Sequence, residues 1–170
     1  IYVGILPDDP TQPIQLKVIQ EGLTKNHGYT RATIDGKMCG IVTCDNGVYV
    51  ITPPQEDSDD WKVDKIMEQP TSDIAVVDID EDGDDEIVTI EQFHGGDFLI
   101  YKNYGDEYKV IYKYPKRMNF AHAVWGGKLR GKPAIIGGYR REGKELFVVT
   151  CTDTKNMVFH TETIDWGVGP

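Results

Sequence analysis

Several things are scarce in this chain of 170 residues, and each absence narrows what it can be. Cysteine occurs three times, at Cys39, Cys44 and Cys151. An odd count without paired spacing is not a disulfide framework, and it fits a reducing compartment better than an oxidising one. Cys39 and Cys44 lie an odd number of residues apart in what reads as one strand, so they face opposite sides and are expected to pack as small apolar residues. No apolar run is long enough to cross a bilayer, and no signal-peptide pattern opens the chain. Because the sequence opens at Ile1, that second absence says little about compartment. Positive charge is also short: the formal net charge is -10, which argues against nonspecific nucleic-acid binding. There is no nucleophile elbow, no P-loop and no dinucleotide fingerprint. Helical periodicity is poor throughout.

Strand signals are abundant. Short runs rich in Val, Ile, Tyr and Thr alternate with Gly, Asn and Asp, as at Ile87 to Ile90, Phe98 to Tyr101 and Leu146 to Thr150. From Tyr108 to Tyr114 the alternation places Tyr108, Val110, Tyr112 and Tyr114 on one face and Lys109 and Lys113 on the other. The runs recur. Ile41-Val42, Ile87-Val88 and Ile135-Ile136 each follow a glycine-containing turn, at offsets of 46 and 48 residues, and Gly36, Gly83 and Gly131 recur at offsets of 47 and 48. A second run follows each, at Tyr49 to Ile51, Leu99 to Tyr101 and Phe147 to Val149, and a third comes near Trp61, Tyr108 and Val158. About four strands per period of this length predicts an all-β chain, a partial β-propeller of four-stranded antiparallel blades.

The expected units are 25–71, 72–119 and 120–162. Residues 1–24, with strands at Tyr2 to Leu6 and Ile14 to Gln20, read as the end of a preceding blade. Residues 163–170, with Ile164 to Val168, read as the first strand of a following one. Three and a half blades do not close a ring, and open sheet edges invite pairing. The expected partners are therefore the remaining blades or a second copy of the chain. The pairs Gly95-Gly96, Gly126-Gly127 and Gly137-Gly138 read as turns and strand bends.

One segment carries recognisable chemistry. Asp78 to Glu86 reads D-I-D-E-D-G-D-D-E, with seven carboxylates in nine residues. A hard cation such as calcium takes a shell of oxygen ligands, and closely spaced carboxylates on a glycine turn supply them. An EF-hand would need a bidentate Glu at the twelfth position, which is Thr89, inside a strand. The pattern D-x-D-x-D-G-x-x-E between the first two strands of a repeat instead resembles the calcium loops of FG-GAP/VCBS-type propellers, closely in the second repeat and by strand pattern alone in the others. That resemblance implies a structural Ca2+ held by the side chains of Asp78, Asp80, Asp82 and Glu86 and by the backbone carbonyl of Asp84. Lys128, Arg130 and Lys132 stand at the matching positions of the third repeat. In the first, Asp35 matches Asp82 but Thr33 replaces Asp80, so neither of those turns should bind a cation.

Histidine is rare but patterned. His27 and His122 both align with Ile74, where the first strand of the second repeat begins, and His94 falls in the turn Glu91 to Asp97. In a propeller these connections emerge on one face, with the acidic turn on the opposite one. Tyr139, Arg140 and Arg141 join the histidine face. Three imidazoles there could hold a transition metal or supply a general acid or base. His27, His94, His122 and Arg140 are therefore the candidate catalytic residues. The run Ala121-His122-Ala123-Val124-Trp125 and the histidine positions resemble propeller sugar lyases of the aldos-2-ulose dehydratase type. From Pro115 to Glu145 eight Lys or Arg face two Glu, a local excess of +6 that reads as a solvated basic face or a site for an anion or acidic partner.

Two functions follow as expectations. The first is a calcium-stabilised scaffold that binds a protein or a glycan without catalysis. The second is a carbohydrate-active lyase or hydrolase with the histidines around its mouth. Fold alone does not separate them.

Overall fold

The computed structural model describes residues 1–55, 60–105 and 107–169, and over these the chain forms fourteen strands and no helix. Pro170, the end of the 163–170 segment, lies outside the described residues. β1 (Tyr2–Ile5) and β2 (Gln15–Val18) pair only with each other. The rest forms three four-stranded antiparallel sheets, each a meander in chain order. The first holds β3 (Tyr29–Ile34), β4 (Lys37–Cys44), β5 (Gly47–Thr52) and β6 (Lys62–Met67). The second holds β7 (Asp73–Val77), β8 (Glu86–Glu91), β9 (Asp97–Asn103) and β10 (Tyr108–Lys113). The third holds β11 (Asn119–Leu129), β12 (Lys132–Arg141), β13 (Glu145–Asp153) and β14 (Val158–Trp166). No sheet closes on itself.

The sheets pack face to face, and the middle one is covered on both sides. Ile74, Ile87, Leu99 and Tyr101 meet Ala32, Cys39, Ile41, Val48, Val50 and Met67 of the first sheet. Val88, Ile90, Phe98 and Ile100 turn the other way, toward Ala121, Ile135, Phe147 and Val149 of the third. This is why β8 and β9 read as continuous apolar runs: a strand buried on both faces has no reason to alternate. Cys39 is 2% and Cys44 0% exposed, and both are free thiols.

The first hairpin turn is alike in the outer two sheets and different in the middle one. β3–β4 turns on Asp35-Gly36 and β11–β12 on Arg130-Gly131, with φ of 51° and 74° in one and 52° and 81° in the other. Positive φ at both central positions is what a two-residue hairpin needs to match strand twist. At the same place the middle sheet inserts the whole acidic segment, from Asp78 to Asp85, between β7 and β8.

The structure departs from the sequence reading in three places. β14 continues to Trp166, with Asp165 opposite Leu146 and Trp166 opposite Glu145, so Ile164 to Trp166 extend the third sheet and open no new one. A register shift between Leu146 and Phe147 absorbs Ile164 and keeps the ladder intact. A second bulge, between Val110 and Tyr112, breaks the alternation of β10. Tyr108 packs toward the first sheet and Tyr112 toward the third, although alternation places both on one face. Finally, of the three glycine pairs only Gly95-Gly96 is a turn. Gly126-Gly127 and Gly137-Gly138 sit inside paired strands. A Cβ on Gly137 would lie 2.4 Å from Phe147 and 2.8 Å from Phe98, whose rings meet edge to face there. A Cβ on Gly126 would lie 2.8 Å from the Val76 carbonyl, so this glycine lets β11 approach β7.

One buried carboxylate ties the third sheet to the strand before it. Glu145 is 1% exposed. It accepts hydrogen bonds from Tyr114 (2.8 Å), Tyr139 (3.1 Å), Lys116 (2.9 and 3.0 Å) and Thr163. Burial alone would raise its pKa, but these donors outweigh burial and hold it below the usual carboxylate value. A depressed native pKa contributes stability that is present above the unfolded-state value and is lost as pH falls through the native one. Glu145→Gln should cost about 1–3 kcal/mol at neutral pH, since it weakens the acceptor for two buried phenols. The gap from the parent protein should narrow as pH drops below the normal carboxylate range. Urea unfolding of both proteins across that range checks this; a gap independent of pH would contradict it.

Candidate functional site

Two clusters of titratable side chains lie at opposite ends of β7. Its five residues rise roughly 3.3 Å each, so on the order of 16 Å of strand separates them.

The histidine cluster is built by backbone hydrogen bonds between neighbouring sheets. Gly28 is the pivot of the first arm: a Cβ there would lie 2.8 Å from the Asp73 Cα and 3.0 Å from the Ser72 carbonyl, so only glycine lets the chain before β3 run against β7. Thr43, fully buried, accepts from Gly28 N–H through Oγ1 (3.0 Å) and donates that hydroxyl to the Ser72 carbonyl (3.0 Å). His27 N–H donates to the Thr43 carbonyl at 3.2 Å, which fixes the first imidazole. His94 N–H donates to Ser72 Oγ at 3.3 Å. Ala121 N–H donates to the Gly95 carbonyl at 3.4 Å and sets His122 beside the same turn.

The three imidazoles, one from each sheet's approach, come together. Ring centroids are 5.3 Å apart for His27 and His94, 5.0 Å for His27 and His122, and 4.7 Å for His94 and His122. One nitrogen from each lies within 4.8 Å of the others. Three nitrogens at metal-ligand bond lengths of about 2.0–2.1 Å in a tetrahedral arrangement sit about 3.4 Å apart, so small side-chain rotations close this set around an ion. His94 is the best held of the three. Its ring stacks between Phe93 at 4.0 Å and Phe120 at 4.2 Å. Both His94 and Phe120 adopt left-handed backbone, with φ of 50° and 61°. For a phenylalanine that is a costly conformation, of the kind found where a side chain must be aimed. Burial lowers the pKa of His94, and the charges of His122, His27, Arg140 and Arg141 lower it further. Both effects favour the neutral imidazole, the form that ligates a metal. Asp73, close to His27 and His122, is pushed up by burial while those two histidines pull it down.

Of the residues expected on this face, Arg140 and Arg141 are present, their guanidinium carbons 4.3 and 4.4 Å from the Phe120 ring centroid. Tyr139 is not. It is 4% exposed, sits in the core and donates its hydroxyl to Glu145, on the face of β12 opposite Arg140. The fourth histidine, His160, lies in β14 and takes no part. Beside His94 opens a cleft of about 750 Å³, lined by Gln92, Phe93, Arg117, Asn119, Phe120 and Glu142 among others. Phe93 and Phe120 were not anticipated from the sequence; their one signal was an aromatic beside each histidine in a polar turn.

At the other end, Asp78, Asp80 and Glu86 bring one carboxylate oxygen each within 4.8 Å of one another. Asp78 shapes the loop: its oxygens accept the N–H groups of Asp82 (3.0 Å) and Gly83 (3.1 Å). Asp84 donates its N–H to Asp82 Oδ1 at 3.0 Å. Glu86 is 1% exposed and accepts from Ile79 N–H at 2.9 Å; burial raises its pKa. Lys102 on β9 reaches the same carboxylates, with no signal of it in the local sequence. Its Nζ lies 2.8 Å from Asp80, 2.7 Å from Asp82 and 2.8 Å from Glu86. Those three hydrogen bonds outweigh the opposing effect of burial and raise the pKa of Lys102. Asp80 is 7% exposed in its side chain, and its buried Oδ1 has no hydrogen-bond partner among the described residues. A carboxylate oxygen buried without a donor is the position a cation would fill.

No protein-family model, curated protein or solved structure matches this chain.

Removing the ammonium exposes the cost of the carboxylate cluster. Lys102→Met should lower the unfolding free energy in chelator by about 3 kcal/mol, the scale for breaking a buried ion pair. Equal stability of variant and parent in urea would contradict this.

Proposed function

We propose that this chain is part of a calcium-stabilised β-propeller of FG-GAP/VCBS type whose histidine face carries a metal-dependent carbohydrate-active site, of lyase or hydrolase type. The convergence of His27, His94 and His122 carries the reading. Three imidazoles on one face leave an open coordination position, and an ion held this way supplies a Lewis acid and a bound water acidic enough to ionise near neutral pH. His27, His94 and His122 hold it. Phe93 and Phe120 orient His94, and the adjoining cleft is lined by polar side chains such as Gln92 and Asn119 that can hydrogen-bond the hydroxyls of a sugar. The sequential four-stranded meanders, stacked with their first strands side by side, support the propeller reading.

The acidic loop has a structural role in this account. Asp78, Asp80, Asp82 and Glu86, with the Asp84 carbonyl, would hold calcium, and the orphaned Asp80 oxygen supports that assignment. The ion would tie β7 to β8. Lys102 and calcium compete for the same oxygens. Apolar residues remain exposed at both ends of the stack, Ile5, Leu6 and Leu16 at one and Trp125, Leu129 and Trp166 at the other. Further blades, or a second copy of the chain, would cover them.

Two measurements test the reading. Cobalt or zinc titration should give one ion per chain, with affinity reduced more than about 100-fold in His27→Ala or His122→Ala, since even partners behind a ligand are worth 10- to 100-fold. A protein that takes up no transition metal and turns over no glycan would return the balance to a noncatalytic binding scaffold for protein or glycan. Calcium at 100 times its dissociation constant should add about 2.7 kcal/mol, or roughly 5–10 °C in melting temperature. Asp80→Ala with Asp82→Ala should remove that gain, and Lys102→Met should tighten calcium binding. An unchanged calcium response in the double variant would overturn the calcium assignment.

A further inference from the structure

We propose that the cleft beside the histidines takes a carboxylate-bearing ligand of sugar size, a uronate or an aldonate, with the carboxylate held by Arg140 and Arg141. The inference deepens the histidine-site reading by naming a substrate class, but the arginine pair stands on its own geometry.

Both guanidinium carbons lie close over the Phe120 ring, at 4.3 and 4.4 Å from its centroid, and Phe120 stacks in turn on His94 at 4.2 Å. A guanidinium offers five N–H donors in a planar fork, the geometry that a carboxylate accepts in pairs. Among the described residues neither arginine forms an ion pair. Both arginines are exposed, so no protein group has displaced their water. Arg117 lines the cleft itself, and Arg140 and Arg141 stand at its edge, against the Phe120 ring that lines it.

The acidic groups of the same cleft do not cancel this. Glu91 accepts the hydroxyls of Thr89 and Tyr101, each at 2.8 Å. Asp97 pairs with Lys113 at 3.0 Å. Glu142 sits on the rim in the same hairpin as Arg141, one carboxylate against three guanidiniums. A neutral sugar would leave the arginines unused. A ligand with a carboxylate next to its ring would place that group at the arginines and its ring in the cleft beside His94. The cleft, at about 750 Å³, has room for such a ring and a neighbour.

Calorimetric titration of the zinc-loaded and the metal-free protein with D-glucuronate, D-glucose, acetate and D-glucose 6-phosphate tests this. Glucuronate should bind at least tenfold tighter than glucose or acetate. Arg140→Ala with Arg141→Ala should remove that preference while zinc uptake and the circular dichroism spectrum stay unchanged. If the double variant misfolds, the single changes Arg140→Gln and Arg141→Gln should each weaken glucuronate several-fold. Equal binding of glucuronate and glucose, or glucuronate binding indifferent to the arginines, would overturn the proposal. So would tighter binding of the sugar phosphate, which would assign the pair to a phosphate. Arginine-dependent glucuronate binding without any zinc uptake would defeat the metal reading and leave this one standing.

Discussion

Everything that could work in this protein depends on how closely β7 is approached by the strands on either side. Backbone can lie against backbone there only because two positions lack a side chain. Gly28 brings the segment before β3 onto Ser72 and Asp73, and Gly126 brings β11 onto Val76. Ordinary face-to-face sheets sit about 10 Å apart, a distance that keeps loops from different sheets out of contact. Around β7 the spacing collapses, and the turns at that end of each sheet meet. Thr43 and Ser72, both fully buried, then convert proximity into fixed geometry through their hydroxyls.

The two ends of β7 carry opposite electrostatic problems and meet them differently. At the histidine end, positive charge accumulates: Arg140 and Arg141 lie near three imidazoles, and aromatic faces spread that charge rather than neutralise it. At the acidic end, carboxylates crowd a buried position, and Lys102 reaches across from β9 to meet three of them. Neither end is complete by itself. One has donors without an acceptor, and the other has a buried acceptor without a donor. The ligands proposed above, an anion at one end and a cation at the other, would each supply the missing sign of charge.

The sequence made the strands legible because their period is local. Alternation and the turn pairs Asp35-Gly36 and Arg130-Gly131 are written in adjacent residues. The acidic loop was legible for the same reason. What escaped was set by contacts between sheets. Lys102 is an ordinary strand lysine until β9 is laid beside β8. Tyr108 and Tyr112 share a face on paper, and a bulge at Ile111 separates them. Gly126 and Gly137 look like bends, and only the neighbours Val76, Phe98 and Phe147 show them to be clearances. The histidines were an intermediate case. Their positions in the repeat put them on one face, but their closeness depends on Gly28 and on the left-handed backbone at His94 and Phe120.

The central claim is that three sheets deliver His27, His94 and His122 to one point. Anomalous diffraction at the zinc edge from zinc-loaded crystals tests it most directly. The account predicts one strong peak with a nitrogen of each of the three imidazoles at about 2.0–2.1 Å. A peak on other residues, or the three histidines apart with no shared ion, would contradict it.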